Sequence, residues 1–434
     1  MWSLFEQRMQ TRMENEHIVG AAVAVMQKGI VIYQQGFGVG DLQTQTPVNS
    51  NTVFGTASIS KSFTALATLK LADQGFLSID DSITKYIPGF HIKGMENTDG
   101  IKVHHLLTHT TGLAPVKRNE ERNHFKDEKH FLMEHQHPLL GKPGEYFSYS
   151  NDMFSLLGEI IEKVSGKLYR RYIIEEILSP LEMNRSTLSV EELQKLNQVS
   201  TPYTYNKEKN QHEEQDWPTL GVYEVGGGVR STALDLLEYG DLYLNKGKIG
   251  ESSIISPQQI RKMSKPYAKV GRNRYYGYGL KVTPDYHGRT LIEHGGSQPG
   301  VSSNFGFIPE EELVVVVLSN VSNVAAGDIW LEAVNTAIGL PLEERDEKEP
   351  EITLSIKQLE RLVGTYSSEE GMRLEITLDH DVPIVHIDNE VYDAYASDEQ
   401  TLVVKATERP IRFYFKNKQP WAAFFGMRML LKDD

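Results

Sequence analysis

Ser58-Ile59-Ser60-Lys61 stands between an apolar stretch that ends in a turn, residues 53–57, and a long apolar helix pattern, residues 63–72. Residues at i and i+3 of a helix share one face, so this spacing brings a hydroxyl and an amine together. A lysine kept neutral by its surroundings can take the serine proton and make the hydroxyl a nucleophile. The free amides and the dipole of a first helical turn also favour developing negative charge. The stretch therefore predicts a nucleophilic Ser58 at the start of a buried helix.

The same spacing occurs a second time, in Ser82-Ile83-Thr84-Lys85. This copy follows two aspartates and precedes Tyr86-Ile87-Pro88, which is typical of a turn and a short surface helix. We interpret it as a chance occurrence, because serine and lysine are common residues. The assignment of Ser58 therefore depends on the motifs that accompany it.

Composition restricts the function classes. The chain has 434 residues, which predicts two domains, and its net charge is -14. The negative charge argues against nucleic acid and anionic membranes as partners. The chain has no cysteine, which excludes a thiol nucleophile, a disulfide framework and a cysteine-ligated metal.

Targeting signals are missing from the sequence. The N-terminus lacks a basic segment followed by an apolar core, and the longest apolar run, residues 313–318, is too short to span a bilayer. We expect a cytoplasmic protein with no membrane span, while a trimmed exported form stays open.

The order of patterns predicts an antiparallel sheet flanked by helices, with a helical insert. A first helix and a hairpin precede the Ser58 helix, residues 100–200 are mostly helical, and a helix, four consecutive strands and a last helix follow. The predicted helices are 3–16, 234–244 and 325–338, and the predicted strands are 21–26, 30–33, 276–280, 290–293, 303–308 and 313–318.

A charged linker, residues 341–353, follows a predicted first domain, residues 1–340, and the sequence pattern changes in residues 354–434. Short strands of alternating apolar and polar residues follow the linker, which is typical of antiparallel sheets. They are predicted at 373–378, 384–387, 401–405, 411–415 and 423–431. We predict a small C-terminal antiparallel β-barrel.

Two further motifs could complete a site with Ser58. Tyr149-Ser150-Asn151 offers a phenol and an amide, and a phenol near a lysine ammonium can lose its proton below its usual pKa and act as a general base. His294-Gly295-Gly296-Ser297 follows a predicted strand, and an amide just after the glycines could form an oxyanion hole with the amide of Ser58. Taken alone, each motif also fits an ordinary turn with a buried aromatic residue.

Ser-x-x-Lys, Tyr-x-Asn and His-x-Gly, in this order, resemble the signature of the serine β-lactamase and penicillin-binding protein superfamily. The Tyr-x-Asn form resembles the class C-like branch, which includes esterases, D-aminopeptidases and serine peptidases. Three further stretches look alike, residues 105–113, 226–235 and 276–279. The resemblance covers about residues 5–335 and implies an α/β (α+β) fold of the β-lactamase/transpeptidase type, with an antiparallel sheet and a helical subdomain.

The resemblance also implies a role for each motif residue. Ser58 would be the acyl-forming nucleophile, activated by Lys61, and Tyr149 would relay protons. The substrate would contact a second group of residues, Asn151, His294, Gly296 and Ser297. No cofactor and no metal are implied.

One departure bears on the substrate. β-Lactamases and transpeptidases of this superfamily usually have lysine at the position of His294, which supplies a fixed charge for a substrate carboxylate. Histidine is mostly neutral at pH 7. We therefore expect a small-molecule or peptide substrate, cleaved by a peptidase or carboxylesterase, with β-lactams open as acylating ligands or poor substrates.

The C-terminal domain resembles the lipocalin-like barrel that follows such domains in some relatives. This similarity rests on the strand pattern and on Leu362-Val363-Gly364-Thr365-Tyr366. Such a domain could cap the site or mediate homo-oligomerisation.

Two alternatives stay open. His105 and His109, at i and i+4, could hold a metal ion, although no His-Glu-x-x-His pattern accompanies them. A penicillin-binding or β-lactam-sensing protein with slow deacylation would carry the same motifs as an enzyme.

Overall fold

The computed structural model of the protein describes residues 2–119, 121–345, 348–388 and 390–433. Two residues of the predicted linker, 346 and 347, lie outside the described ones. The helices are α1 (Trp2–Asn15), α2 (Ser60–Asp73), α3 (Val103–Leu107), α4 (Phe125–Glu134), α5 (Asn151–Ser165), α6 (Tyr169–Ile173), α7 (Val190–Leu193), α8 (Glu224–Gly227), α9 (Ala233–Leu244), α10 (Pro257–Met263), α11 (Ala326–Ile338) and α12 (Ile356–Glu360).

The strands of the first part of the chain include the two hairpin strands near the N-terminus. They are β1 (Gly20–Gln27), β2 (Ile30–Gly38), β3 (Phe54–Gly55), β4 (Tyr203–Asn206), β5 (Gln211–Glu214), β6 (Arg230–Ser231), β7 (Lys248–Ile249), β8 (Ser252–Ser253), β9 (Ala268–Gly271), β10 (Arg274–Tyr276), β11 (Lys281–Tyr286), β12 (Arg289–Gln298), β13 (Val301–Ile308) and β14 (Leu313–Ser319).

A large antiparallel sheet organises this part of the chain. Its order within the described residues is β2-β1-β14-β13-β12-β11-β10-β9, so the N-terminal hairpin pairs with the last strand, Ala21 opposite Ser319. Strand β14 is buried at every position, which explains its continuous apolar sequence. The predicted antiparallel sheet flanked by helices is confirmed.

Helices cover both faces of the sheet. On one face, α2, α5 and α9 share an apolar core with residues of β13 and β14, including Phe305 and Val316. On the other face, α1 and α11 bury Phe5, Met9 and Trp330 against the alternate side chains of β14. Alternate residues of one strand point to opposite faces, so the two cores use the same strands. The face covered by α2 carries the Ser58 segment.

One predicted strand is wrong. Residues 276–280 do not form a strand, because β10 ends at Tyr276 and β11 begins at Lys281. Gly279 lies in the left-handed region, with φ +66°, and a Cβ there would lie 2.6 Å from the carbonyl oxygen of Lys61. The bend is thus the point at which the sheet passes close to the backbone of α2.

The C-terminal part of the chain is a closed β-barrel, which confirms the predicted barrel. Its strands follow one another in antiparallel pairs around the barrel. They are β15 (Gly364–Ser367), β16 (Arg373–Asp379), β17 (Val382–Ile387), β18 (Glu390–Asp398), β19 (Thr401–Val404), β20 (Arg409–Lys416), β21 (Gln419–Phe425) and β22 (Arg428–Lys432).

The predicted strand 423–431 is wrong in one respect: it is two strands joined by a tight turn. Gly426 and Met427 both have positive φ, 56° and 67°, and reverse the chain between β21 and β22. The sequence pattern hides this turn because apolar residues continue on both sides of it. The turn matters below, since it faces the Ser58 region.

No helix among the described residues is long and apolar enough to cross a membrane.

Candidate functional site

Ser58 lies in a tight turn that runs directly into α2. The segment Ala57–Ile59 forms one 3₁₀ turn, and Ala57 has a φ of 46°, a left-handed value that is uncommon for alanine. Ser58 is half-buried, whereas Ala57 and Ile59 are buried on either side of it. The turn thus presents one hydroxyl at the surface of an otherwise closed segment, as expected from the sequence.

Lys61 is buried one turn further along. Its Nζ donates to Asn151 Oδ1 at 2.8 Å and to the carbonyl oxygen of Gly226 at 3.1 Å, and it lies 3.4 Å from Ser58 Oγ. A neutral amine has two N–H donors and one lone pair. The two carbonyl-type acceptors match the two donors, which leaves the lone pair for the Ser58 hydroxyl.

The electrostatics agree with a neutral Lys61. Burial lowers the pKa of Lys61 well below its usual value, and the positive charges of Arg428 and Arg118 lower it further. An uncharged amine 3.4 Å from a serine hydroxyl is able to accept its proton.

Tyr149 and Asn151 lie where α5 begins. Ser150 caps the helix by accepting a hydrogen bond from the Met153 amide, and this cap points the Asn151 amide toward Lys61. The Tyr149 ring lies 4.8 Å from Lys61 Nζ. The four side chains of Ser58, Lys61, Tyr149 and Asn151, predicted to act together, are therefore adjacent.

The protonation of Tyr149 differs from the sequence-based expectation. Burial raises the pKa of Tyr149, while the nearby Ser58 hydroxyl and the charge of Arg428 offset this only in part. The expected lowering required a lysine ammonium, and the burial of Lys61 disfavours that charge. The two pKa shifts therefore favour the uncharged forms of both groups, the amine of Lys61 and the phenol of Tyr149.

Strand β12 forms the opposite wall of the site. A Cβ on Gly296 would lie 2.2 Å from the carbonyl oxygen of Thr56 and 3.0 Å from the Ala57 Cβ, so only glycine allows the strand this close to the Ser58 turn. Ser297 is exposed and lines the same cleft as Ser58.

His294 lies behind that wall. Its ring is 2% exposed, its Nδ1 lies 2.6 Å from the carbonyl oxygen of Gly295, and its Nε2 lies 2.9 Å from the Tyr276 hydroxyl. Because a carbonyl only accepts, Nδ1 carries the proton and Nε2 accepts from Tyr276. Burial lowers the pKa of His294 well below its usual value, so this position supplies no positive charge.

The cleft above Ser58 is small and polar. It encloses about 50 Å³ and is bordered by several residues that the motifs do not contain: Arg118, Leu220, Tyr223, Gly226, Gly227 and Gln298. Tyr223 is fixed from below, where its hydroxyl donates to Asp152 and accepts from Arg122. Arg118 stacks on the Tyr223 ring at 4.5 Å. Only the glycine run near Gly226 gave a sequence signal for this wall.

The C-terminal barrel reaches this site. The Met427 carbonyl accepts a hydrogen bond from the Tyr149 amide at 2.9 Å, and the Met429 amide donates to Ser148 Oγ at 3.1 Å. The guanidinium of Arg428 lies 4.7 Å from the centre of the Tyr149 ring. Arg428 was missed by the sequence analysis, because the prediction placed it inside a continuous strand.

The histidines considered as metal ligands have other partners. His105 Nδ1 accepts from the Lys102 amide, and His109 Nδ1 accepts from the Ser150 amide. No group of three or more His, Cys, Asp or Glu residues that could hold a metal ion occurs in the part of the chain that the structure describes. His109 instead packs on Tyr149, with ring centres 4.2 Å apart.

Comparison with known proteins gives a consistent result. A sequence model of the Beta-lactamase family matches residues 5–335. Protein flp of Staphylococcus aureus (strain NCTC 8325 / PS 47) is 28% identical over 77% of this chain, and the chain spans 66% of its length, just under two thirds. Penicillin-binding protein 4* of Bacillus subtilis (strain 168) is 25% identical over 92% of this chain and 90% of its own.

Solved structures extend the similarity over nearly the whole chain, including the C-terminal barrel. The octameric penicillin-binding protein homologue from Pyrococcus abyssi has a TM-score of 0.74 and 29% identity, covering 99% of both chains. SurE has a TM-score of 0.78 over 99% of this chain and 98% of its own, and its 20% identity bears on the fold alone.

Proposed function

The chain belongs to the beta-lactamase family, and on this premise we propose that it is a serine hydrolase that forms an acyl-enzyme on Ser58, acting as a peptidase or carboxylesterase. Members of this superfamily are generally serine hydrolases. The observation that carries the proposal is the position of Lys61, whose Nζ contacts Asn151 Oδ1 and the Gly226 carbonyl oxygen and lies 3.4 Å from Ser58 Oγ.

Acylation follows from these contacts. Lys61 accepts the proton of Ser58 as Oγ attacks the substrate carbonyl carbon. The carbonyl oxygen becomes an oxyanion, which the main-chain amides of Ser58 and Ser297 would stabilise from the two walls of the cleft. The amide side chain of Asn151, held by Lys61, would fix the substrate.

Tyr149 would complete the cycle. The leaving group departs with a proton that passes from Lys61 through the Tyr149 hydroxyl. This hydroxyl is buried beside the Ser58 hydroxyl, so it would lie close to the leaving group of a substrate bound to Ser58. In deacylation, the same pair would take a proton from the attacking water, and Ser58 would be regenerated.

A second candidate is a protein that reacts with β-lactams and deacylates slowly. It is favoured by the similarity to penicillin-binding protein 4*, which extends over 92% of this chain. A site with intact acylation groups serves both functions, and only the deacylation rate separates them.

Hydrolysis of three substrates tests the proposal: a short-chain p-nitrophenyl ester, a D-amino-acid anilide and a chromogenic cephalosporin, with Ser58→Ala protein as the blank. The proposal predicts turnover of the ester or the anilide above the blank. Stoichiometric release of one chromophore from the cephalosporin, followed by no turnover of any substrate, would favour the second candidate. If no substrate reacts and a fluorophosphonate does not label Ser58, both candidates are refuted.

Gly296 offers a test of the oxyanion wall. In Gly296→Ala, the new methyl group meets the Thr56 carbonyl oxygen and forces β12 away from Ser58. We expect kcat/KM for the best substrate to fall about 10- to 100-fold, because small displacements of catalytic groups are costly. Gly295→Ala is the matched control, since its Cβ would find its nearest atom at 3.5 Å. Equal losses in both variants, measured by steady-state kinetics, would contradict the assignment.

Self-association through the C-terminal domain is part of the proposal. The homologue from Pyrococcus abyssi, 29% identical along 99% of this chain, is described as octameric and supports it. Analytical ultracentrifugation of the full chain would measure its oligomeric state, and a monomer at micromolar concentration would argue against it.

A further inference from the structure

The segment 220–227 forms one wall of the cleft above Ser58. Within it, the carbonyl oxygen of Gly226 accepts a hydrogen bond from Lys61 Nζ at 3.1 Å. The Tyr223 side chain anchors the same segment, because its hydroxyl lies beneath the cleft and is held there by hydrogen bonds. The groups that hold Tyr223 therefore also set the position of an acceptor of Lys61.

Two carboxyl groups and one guanidinium hold the Tyr223 hydroxyl. The hydroxyl donates to Asp152 Oδ1 at 3.0 Å and accepts from Arg122 Nη2 at 3.2 Å. Arg122 Nε donates to Glu128 Oε2 at 2.6 Å, and Arg122 Nη2 lies 3.5 Å from Asp152 Oδ1. The side chains of Asp152 and Glu128 are 1% and 0% exposed, and that of Arg122 is 10% exposed. The cluster is therefore almost closed to solvent.

The charges of this cluster do not balance if both carboxyl groups are ionised. The guanidinium of Arg122 neutralises one carboxylate, and a second buried carboxylate is costly without a cation of its own. Two other basic groups face the cluster. Lys61 approaches Asp152 from α2, but its burial disfavours the ammonium. Arg118 is exposed and stacks on the Tyr223 ring at the cleft. One proton on the carboxyl pair restores the balance.

The hydrogen bonds favour Asp152 as the carrier of that proton. Burial raises the pKa of Asp152, and the adjoining Glu128 carboxyl raises it further. Glu128 Oε1 is buried, and no N–H or hydroxyl group of the described residues donates to it. A carboxylic acid at Asp152 can donate to Glu128 while its own Oδ1 accepts from Tyr223. Two carboxyl groups in contact hold a hydrogen bond between them only when one is protonated.

We propose that Asp152 and Glu128 are positioning residues that share one buried proton and thereby hold Tyr223 beneath the cleft. The proposal rests on the proposed function and adds to it two residues that touch neither the substrate nor the reacting atoms. In the singly protonated state, the pair and Arg122 have no net charge and every donor and acceptor around the Tyr223 hydroxyl is used. The wall formed by residues 220–227 is then fixed.

The shared proton also affects the charge state of Lys61. Asp152 follows Asn151, whose Oδ1 accepts from Lys61 Nζ at 2.8 Å. A negative charge on Asp152 raises the pKa of Lys61 and favours the ammonium, which cannot accept the Ser58 proton. With the proton on Asp152 this effect is absent, and the burial of Lys61 keeps its pKa low.

Amide substitutions test the two carboxyl groups one at a time. In Asp152→Asn, the side-chain NH₂ donates to Glu128 as the acid does, so most of kcat/KM should be retained, whereas Asp152→Ala should lower it about tenfold or more. In Glu128→Gln, Asp152 becomes the ionised partner of Arg122, so the acid limb of the kcat/KM profile should move to higher pH. Asp152→Asn should leave that limb in place.

The double variant Asp152→Asn/Glu128→Gln leaves Arg122 without a carboxylate. Its kcat/KM should fall about tenfold or more below the product of the two single changes, because the substitutions affect one shared charge. Glu159→Gln is the matched control. It removes another buried carboxylate between α5 and α4, paired with Lys129 at 2.7 Å, and should leave kcat/KM and its pH profile unchanged.

Two kinetic results would overturn the proposal: a loss in Asp152→Asn as large as that in Asp152→Ala, or a double variant equal to the product of the single ones. Failure of Asp152→Asn to fold would also contradict it, because asparagine reproduces the protonated acid. The infrared spectrum gives a readout that is independent of activity. The wild type at pH 7 should show the band of a buried carboxylic acid, and Asp152→Asn should lack it.

Failure of this proposal and failure of the proposed function give different results. If the wild type hydrolyses no substrate but a fluorophosphonate labels Ser58, the pH dependence of the labelling rate replaces kcat/KM in the same set of variants. Wild-type protein that shows neither hydrolysis nor labelling refutes the proposed function, and the infrared band then decides the shared proton alone. Labelling with no carboxylic-acid band refutes only the role given to Asp152 and Glu128.

Discussion

Replacing Ser58 by alanine should reduce kcat/KM for the preferred substrate by about 10⁴-fold or more, because no acyl-enzyme can form. The fold should be unaffected, since Ser58 is half-buried and its hydroxyl interacts with the side chains of the site itself, Lys61 and Tyr149. Steady-state hydrolysis and thermal unfolding measure the two effects separately. Full activity in the variant would show that another group attacks the substrate.

Ser82→Ala is the matched control for this variant. Ser82 stands in the same Ser-x-x-Lys spacing, but its Oγ accepts from the Thr84 amide and caps a short 3₁₀ helix, Ile83–Lys85. We expect unchanged kcat/KM and a loss of stability of about 1 kcal/mol, the usual effect of removing a cap. Comparison of the two variants therefore shows whether activity depends on the Ser-x-x-Lys spacing alone or on the residues that surround Ser58.

Replacing Lys61 by methionine should lower kcat/KM by about 10³-fold, the scale of a lost general base. Methionine is one atom shorter than lysine and fills most of the buried space, but it has no basic amine to take the Ser58 proton. In the wild type, kcat/KM should rise with pH as Lys61 loses its proton. The midpoint should lie well below pH 10.5, because burial lowers the pKa of Lys61.

The pH dependence of the free energy of unfolding should also report on the buried amine of Lys61. Burial lowers the pKa of Lys61 in the folded protein below its value in the unfolded chain, so between these two pKa values the unfolded state binds more protons. The free energy of unfolding should therefore rise with pH until the ordinary lysine pKa is reached. Lys61→Met removes this contribution, and the wild type should gain stability relative to the variant between pH 7 and pH 9.5 in urea titrations.

Lys85→Met is the control for Lys61→Met. Lys85 is exposed and paired with Asp81 at 2.7 Å, and this pairing raises its pKa. Its replacement should leave kcat/KM and its pH dependence unchanged. A pH profile without an acid limb in the wild type, or one retained in Lys61→Met, would contradict the role given to Lys61.

Local patterns in the sequence predicted much of the fold. The strands of the central sheet have continuous apolar sequences because both of their faces are covered, as Leu313–Ser319 illustrates. The motif order predicted that Ser58, Lys61, Tyr149 and Asn151 act together, and these side chains are adjacent. Their roles in catalysis remain predictions.

The resemblance raised the C-terminal domain as a cap over the site, but the barrel residues that reach the site could not be predicted. Arg428 lies 279 positions from Tyr149 in sequence (428 − 149), and no periodicity relates residues so far apart. The turn at Gly426 and Met427 lies within an apolar run that extends from β21 into β22, so it was taken for a single strand. The pKa shifts of the site could not be predicted either, because the lowered pKa of Lys61 and the raised pKa of Tyr149 come from burial in the folded chain.

The central claim is that Ser58 becomes covalently acylated. Intact-protein mass spectrometry after incubation with a fluorophosphonate, followed by peptide mapping, measures this directly. The account predicts one adduct per chain on the peptide that contains Ser58, abolished in Ser58→Ala, retained in Ser82→Ala and slowed in Lys61→Met. An adduct elsewhere, or no adduct on a folded protein, would contradict it.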